Sequence, residues 1–251
     1  MNDKTQTTLL QTSHAVKLLP FLISFILYFI FQPYVGVFSS TALKCAPIIS
    51  LMLYILMKKE FDFSPDCKRS RLILWGLIFS CGGDILLNVG LFPHGMALFG
   101  VAQIFYIRSF GWTPLKMWIG AIGYLAGAAI ISIIYDKLDK VLKIGIPIYS
   151  LLLETMCWRS LARIYQEGSF FNICCGIGGL LFLISDSLIG LNMFLLAAPS
   201  VGVQVWIMIT YYLAQLGITL STANECKATS LKSSASFVKK HTNNSRLHVN
   251  S

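Results

Sequence analysis

Charge is what this sequence lacks most. Only 12 % of its 251 residues are Asp, Glu, Lys or Arg, against 55 % hydrophobic, whereas soluble domains carry roughly 25 % charged residues. That imbalance excludes a water-soluble globular chain. Histidine is also scarce: there are four, at 14, 94, 241 and 248, and none lies deep in an apolar run. A zinc centre needs several His, Cys or carboxylate ligands converging, so no metal and no cofactor is implied. The seven cysteines form no CxxC pair and read as small core hydrophobes. A cleavable signal peptide is not expected, because the first seventeen residues are polar and the apolar run after them lacks a small-residue cleavage site. The net charge of +9 does not point to nucleic acid, since the basic residues fall in short loops and in a tail.

What the sequence does have is long apolar runs, at about 18–37, 39–57, 71–90, 95–111, 116–135, 143–164, 170–194 and 200–221. Each is about the ~20 residues that a membrane-spanning helix needs. The expected fold is all-α: a polytopic membrane protein of eight transmembrane helices around a central polar cavity. Residues 1–17 form an N-terminal cytosolic segment, 18–221 the helical domain, and 222–251 a Ser/Thr/Asn/Lys-rich basic tail expected to be disordered.

Basic residues set the orientation. Sixteen of the 20 Lys and Arg fall on the side of the termini, three (Lys137, Lys140, Lys143) on the other, and Lys44 within the second run. By the positive-inside rule both termini face the cytosol.

Against that background an aspartate in an apolar run stands out. "FSCGGDILLNVGLF" (79–92) carries Asp84 and "FLISDSLIGLNMF" (182–194) carries Asp186. A carboxylate in hydrocarbon costs ~2.5–3.5 kcal/mol or more, so such residues face a polar interior and mark function. At 1.5 Å per residue, Asp84 lies ~20 Å and Asp186 ~24 Å along outward-running helices, with Lys44 ~8 Å below the outer surface. Gln103 and Glu154 fall nearer the middle, followed inward by Tyr106, Tyr211 and Gln215. Each has a plainer reading as well. A lysine near an interface can snorkel to headgroups, "GGD" can be a close-packing seam, and the tyrosines and glutamines can simply bond across helices. Glu154 reads as snorkelling or pairing with Arg159 rather than as catalytic. Both aspartates are followed by a phenylalanine eight residues on (Phe92, Phe194) and by a leucine at the same second position (Leu86, Leu188), a weak sign of a parallel duplication.

The pieces "STALKCAPI" (40–48), "GLIFSCGGDILL" (76–87), "HGMALFGVAQIFYIRSFG" (94–111), "GLLFLISDSLIGLNMF" (179–194) and "IMITYYLAQLGI" (207–218) resemble the lysoplasmalogenase (YhhN-like) family. The resemblance covers about 18–222. It implies an eight-helix protein of the endoplasmic reticulum membrane that hydrolyses the vinyl-ether bond of lysoplasmalogens to a fatty aldehyde and glycerophosphocholine or glycerophosphoethanolamine. At one point the chain departs from the family: Gln103 stands where members often have a histidine, which bears on rate or substrate.

The residues suit that reaction. Vinyl-ether hydrolysis needs an acid to protonate carbon and an anion to stabilise the oxocarbenium ion and activate water. Asp84 and Asp186 are the candidate catalytic pair, with the division of roles between them open, by analogy with two-carboxylate glycosidases. Lys44 is the candidate for a lipid phosphate; Tyr106, Tyr211, Gln215 and Gln103 are candidates to orient substrate or water. The expected partner is a single-chain lysophospholipid entering sideways from the bilayer. Two alternatives remain at this point: a proton-coupled carrier with the aspartates and Lys44 as a relay, and a non-catalytic lipid-binding relative.

Overall fold

The structure is a computed structural model that describes residues 3–58, 67–166, 169–195 and 200–223, with side chains from residue 16 onward. Among the described residues there are eight α-helices: α1 (Asp3–Phe31), α2 (Val37–Leu56), α3 (Lys68–Asn88), α4 (Phe92–Phe110), α5 (Met117–Ile134), α6 (Leu142–Ala162), α7 (Phe170–Phe194) and α8 (Val201–Leu220). No strand occurs among the described residues. Helix α1 begins well before the apolar run that starts near 18, so helix continues back through the polar N-terminal segment. The basic tail beyond 223 lies outside the described residues.

Local chemistry sets the breaks. Gly90 and Gly111 take positive φ, 81° and 74°, where a side chain would be strained, and they end α3 and α4. Asp139 caps α6 by accepting from the Leu142 backbone N–H at 2.8 Å. Asn192 Oδ1 accepts from the Ser200 N–H at 3.0 Å, which ties the end of α7 to the start of α8.

Among the described residues, six helices are long and apolar enough to cross a membrane: α1, α2, α3, α5, α7 and α8. The other two, α4 and α6, carry Gln103 and Arg108, and Lys143, Glu154 and Arg159. Contacts run α2–α3–α4–α6–α7–α8 and back from α8 to α2, a closed ring with α1 laid on α2 and α5 on α6. Lys58 Nζ on the far end of α2 reaches Thr222 O at 2.7 Å, fastening the closure.

The ring is inside-out relative to a water-soluble bundle. Its outer faces expose Leu22, Ile23, Leu53, Trp75, Ile122 and Ile177, while Ser80, Asp84, Gln103, Gln215 and Thr219 are buried. Two seams of small residues let backbones touch. A Cβ on Gly178 of α7 would lie 2.8 Å from the Ala214 carbonyl oxygen, and one on Gly217 of α8 would lie 2.6 Å from the Cys174 carbonyl oxygen. On α3 and α4, a Cβ on Gly95 would lie 3.1 Å from the Gly83 carbonyl oxygen. In lipid, where apolar surface gains nothing by leaving its solvent, such close van der Waals approach holds helices together. Each seam runs beside an aspartate-bearing helix, so the glycines preceding Asp84 and Asp186 are packing devices.

Candidate active site

Asp84 and Asp186 each stand sixteen positions after the first residue of their helices, Lys68 and Phe170. Both project into the ring and both line a single polar cavity of about 350 Å³.

Around Asp84 three helices converge. Its Oδ1 lies 3.3 Å from Lys44 Nζ of α2, and its Oδ2 accepts from the Tyr211 hydroxyl of α8 at 2.6 Å. Asp84 is buried to 2 % exposure, so the ammonium and the phenol replace its water. A buried carboxylate without such partners would be strongly destabilising. Tyr212, the next residue on α8, donates to the Lys44 carbonyl oxygen at 3.0 Å. Its ring is boxed edge-on by Phe25, Tyr28 and Phe29 of α1. "TYY" thus fixes the lysine backbone with one side chain and the lysine's ion partner with the other.

Asp186 is held differently. No cation pairs with it among the described residues; its Oδ2 accepts from the hydroxyl of Tyr149 on α6. The neighbouring Ser185 hydroxyl donates to the Ile207 carbonyl oxygen at 3.0 Å, which pins this part of α7 against α8. Asp186 is half-buried and stands at a boundary. A second cavity, of about 170 Å³, runs between α4, α5, α6 and α7 and is lined mainly by aliphatic and aromatic side chains such as Met96, Ile130, Ile146 and Leu153. Five residues line both cavities: Leu87, Phe92, Phe99, Asp186 and Ile189. Phe92 and Phe194, noted in the sequence for their equal spacing from the aspartates, meet edge to face with centroids 6.4 Å apart on the apolar side.

Of the residues singled out in the sequence, Asp84, Asp186, Lys44 and Tyr211 line the polar cavity. Tyr106, Gln215 and Gln103 line neither cavity. Tyr106 donates to Gln215 Oε1 at 2.8 Å, and its ring lies against Gly76, where any side chain would collide with it. Gln215 lies beside the Tyr211 hydroxyl, so this buried pair backs Tyr211 from behind. Gln103, fully buried, lies beside the Tyr149 hydroxyl.

Glu154 does not pair with Arg159. Five residues apart, the two leave a helix about 140° apart, and only i+3 and i+4 neighbours meet. Glu154 Oε1 instead accepts from Ser150 Oγ at 2.7 Å and packs on the bare backbone of Gly127. Arg159 donates to the carbonyl oxygens of Gly111 and Pro114 at 2.7 and 2.9 Å and lies over Trp112 and Trp158, a clamp on the loop between α4 and α5.

Tyr149 and, in the polar cavity, Asn88 and Asn192 are not among the candidates that the sequence singles out. A signal existed for Tyr149. It is a hydroxyl seven residues, ~10 Å, into α6, at a depth matching the aspartates, in the otherwise apolar "GIPIY".

An all-helical integral membrane protein with two acids from separate helices in one interior cavity is the class that fold and site define. The chain belongs to the YhhN family, whose model matches residues 39–222. It is 31 % identical over 217 residues to human lysoplasmalogenase TMEM86A, covering 83 % of this chain and 89 % of that protein. With human lysoplasmalogenase TMEM86B it shares 34 % over 179 residues, 71 % of this chain and 73 % of the relative. The pig TMEM86B lysoplasmalogenase is 34 % identical over 185 residues, 73 % of this chain and 75 % of that protein. No solved structure matches the chain.

Proposed function

We propose that this protein is a lysoplasmalogenase: it hydrolyses the vinyl-ether bond of 1-alkenyl-glycerophospholipids, releasing a fatty aldehyde and glycerophosphocholine or glycerophosphoethanolamine. Family membership and the activity in the relatives' names support the reading. The single observation that carries it is the position of Asp186, at the wall shared by a polar cavity holding Lys44 and Asp84 and an apolar cavity between α4, α5, α6 and α7. A lysoplasmalogen has that same division, with its vinyl ether where headgroup and chain join.

The alkenyl chain lies in the apolar cavity and the glycerophosphate in the polar one, where the Lys44 ammonium has donors left beyond its contact with Asp84. Asp186 acts as the acid. Its proton passes to the second carbon of the vinyl ether, whose π electrons form the new C–H bond and leave an oxocarbenium ion at the first. Asp84, already engaged by Lys44 and Tyr211, is the anion that faces this cation. Water adds at the first carbon and gives up a proton to a carboxylate. The hemiacetal then collapses: the bond from the first carbon to the glycerol oxygen breaks, that oxygen takes a proton from the restored acid, and the hemiacetal hydroxyl gives its own proton back to a carboxylate as the aldehyde C=O forms, which leaves Asp186 protonated again. One water is consumed and no cofactor enters.

In this reading all eight helices cross the membrane of the endoplasmic reticulum, with the termini cytosolic and the site in the lumenal half. The substrate enters sideways from the bilayer. The sequon at Asn243 then stays unglycosylated in cells, and a glycan there would reverse the orientation.

The direct test is purified protein given a lysoplasmalogen and, separately, the matching 1-acyl lysophospholipid. Aldehyde from the first and no fatty acid from the second is the expected result. In oxygen-18 water the freed glycerol hydroxyl should carry no label, because water attacks the alkenyl carbon. Absence of aldehyde, or label in the glycerol product, contradicts the reading.

A further inference from the structure

The reaction described above gives no role to two polar side chains behind Asp186. Tyr149 on α6 donates its hydroxyl hydrogen to Asp186 Oδ2. Gln103 on α4 is fully buried and lies beside that same hydroxyl, yet among the described residues neither its Nε2 nor its Oε1 makes a hydrogen bond of standard geometry. Gln103 lines neither cavity, and Tyr149 lines only the apolar one.

A phenol has one hydrogen to give. Once that hydrogen is committed to Oδ2, a neutral Asp186 carries its own proton on Oδ1. Tyr149 therefore decides which carboxyl oxygen delivers the proton. A phenol oxygen also has lone pairs, and the carboxamide of Gln103 has two hydrogens that find no acceptor. Buried amide groups left unbonded are costly and rare, and the Tyr149 oxygen is the acceptor beside it. A hydrogen bond from Gln103 to that oxygen would turn the phenol's hydrogen away from α4 and towards Asp186. The order Gln103, Tyr149, Asp186 runs from ring interior to cavity wall across three helices.

We propose that Tyr149 and Gln103 are positioning residues for the acid: Tyr149 fixes the proton of Asp186 on Oδ1, and Gln103 fixes the Tyr149 hydroxyl. This rests on Asp186 being the proton donor. In the step itself the Oδ1–H bond breaks as the C–H bond forms on the alkenyl carbon, and the Asp186 carboxylate left behind keeps the Tyr149 hydrogen bond at Oδ2. Neither positioning residue exchanges a proton with substrate.

The test is a double-mutant cycle on aldehyde release. Tyr149→Phe keeps the ring that lines the apolar cavity and removes only the hydroxyl. It should lower kcat about 10- to 100-fold with KM unchanged within about twofold, since misplacing a reacting group costs turnover rather than binding. Gln103→Leu should lower kcat about 3- to 10-fold in the wild-type background and have no effect in the Tyr149→Phe background, because residues acting through one another are not additive. Tyr149→Phe with wild-type kcat, a loss confined to KM, or a Gln103→Leu effect equal in both backgrounds overturns the proposal. Should Tyr149→Phe not fold, 3-fluorotyrosine at 149 keeps the shape and alters the hydroxyl's acidity. A changed kcat at constant KM then supports the proposal, and an unchanged kcat overturns it. A wild-type protein that releases no aldehyde is a different failure, that of the lysoplasmalogenase reading itself.

Discussion

The Tyr211 hydroxyl donates to Asp84 Oδ2 across 2.6 Å, within the same buried cluster in which Lys44 Nζ stands 3.3 Å from Oδ1. Both carboxylate oxygens are thereby occupied, by donors from two helices that do not carry the acid. Among the described residues, Asp186 has a phenol on one oxygen only. In the proposed mechanism this difference in surroundings divides the two acids into a fixed anion and a proton donor.

Tyr211→Phe removes one donor from a buried carboxylate and leaves Gln215 and Tyr106 behind it without a hydroxyl to back. Leaving such a group short of a partner costs about 1–3 kcal/mol, which should appear as a lower thermal midpoint in detergent. Turnover should fall with it, since the proposed anion loses one of the two donors that hold it.

Lys44→Met strands Asp84 in the interior and should destabilise the fold by about 3–5 kcal/mol, as breaking one side of a buried pair does. Adding Asp84→Asn should restore most of the thermal midpoint, because the unpaired charge is gone. It should restore no activity. Recovery of both together would show that the pair is structural alone.

Gly123→Phe probes the apolar cavity. Gly123 lines it, and a Cβ there meets nothing nearer than 4.0 Å, so the ring can enter the cavity without straining α5. Chain contacts of this kind are worth about 1–3 kcal/mol per methylene at most. KM for a long-chain alkenyl lysolipid should therefore rise about tenfold or more, while a short-chain analogue is unaffected. An equal effect on both would place the chain elsewhere.

Gly178→Val tests the seam between α7 and α8. A Cβ there lies 2.8 Å from the Ala214 carbonyl oxygen and 2.9 Å from the Ile218 backbone nitrogen, and backbone cannot swing aside as a side chain can. The helices must separate, so folded protein should drop sharply on expression. At Gly190, where nothing lies within 4 Å, the same substitution should be tolerated.

The helices were legible in the sequence because hydrocarbon imposes a length and an apolar composition that are both local properties. Helix α4 read as the shortest run because Pro93 and His94 open it, and the structure begins it at Phe92. Asp84 and Asp186 were legible for the same reason, as charges where charge is expensive. Which polar residues face the cavity was not. Tyr106 and Gln103 are three residues apart on one face of α4, yet they serve different neighbours, Gln215 and Tyr149, set by contacts between distant helices. Tyr149 escaped notice because a tyrosine in an apolar helix is unremarkable until its partner is known. Glu154 and Arg159 looked like a pair along the chain and diverge around the helix.

The measurement closest to the central claim is the rate of aldehyde release by Asp84→Asn and by Asp186→Asn, each verified as folded by its melting curve. Run in heavy water, the wild-type protein should place one deuterium on the aldehyde's second carbon, and each variant should release no aldehyde above the uncatalysed background. Wild-type turnover surviving in either variant would mean that the two acids do not share the chemistry.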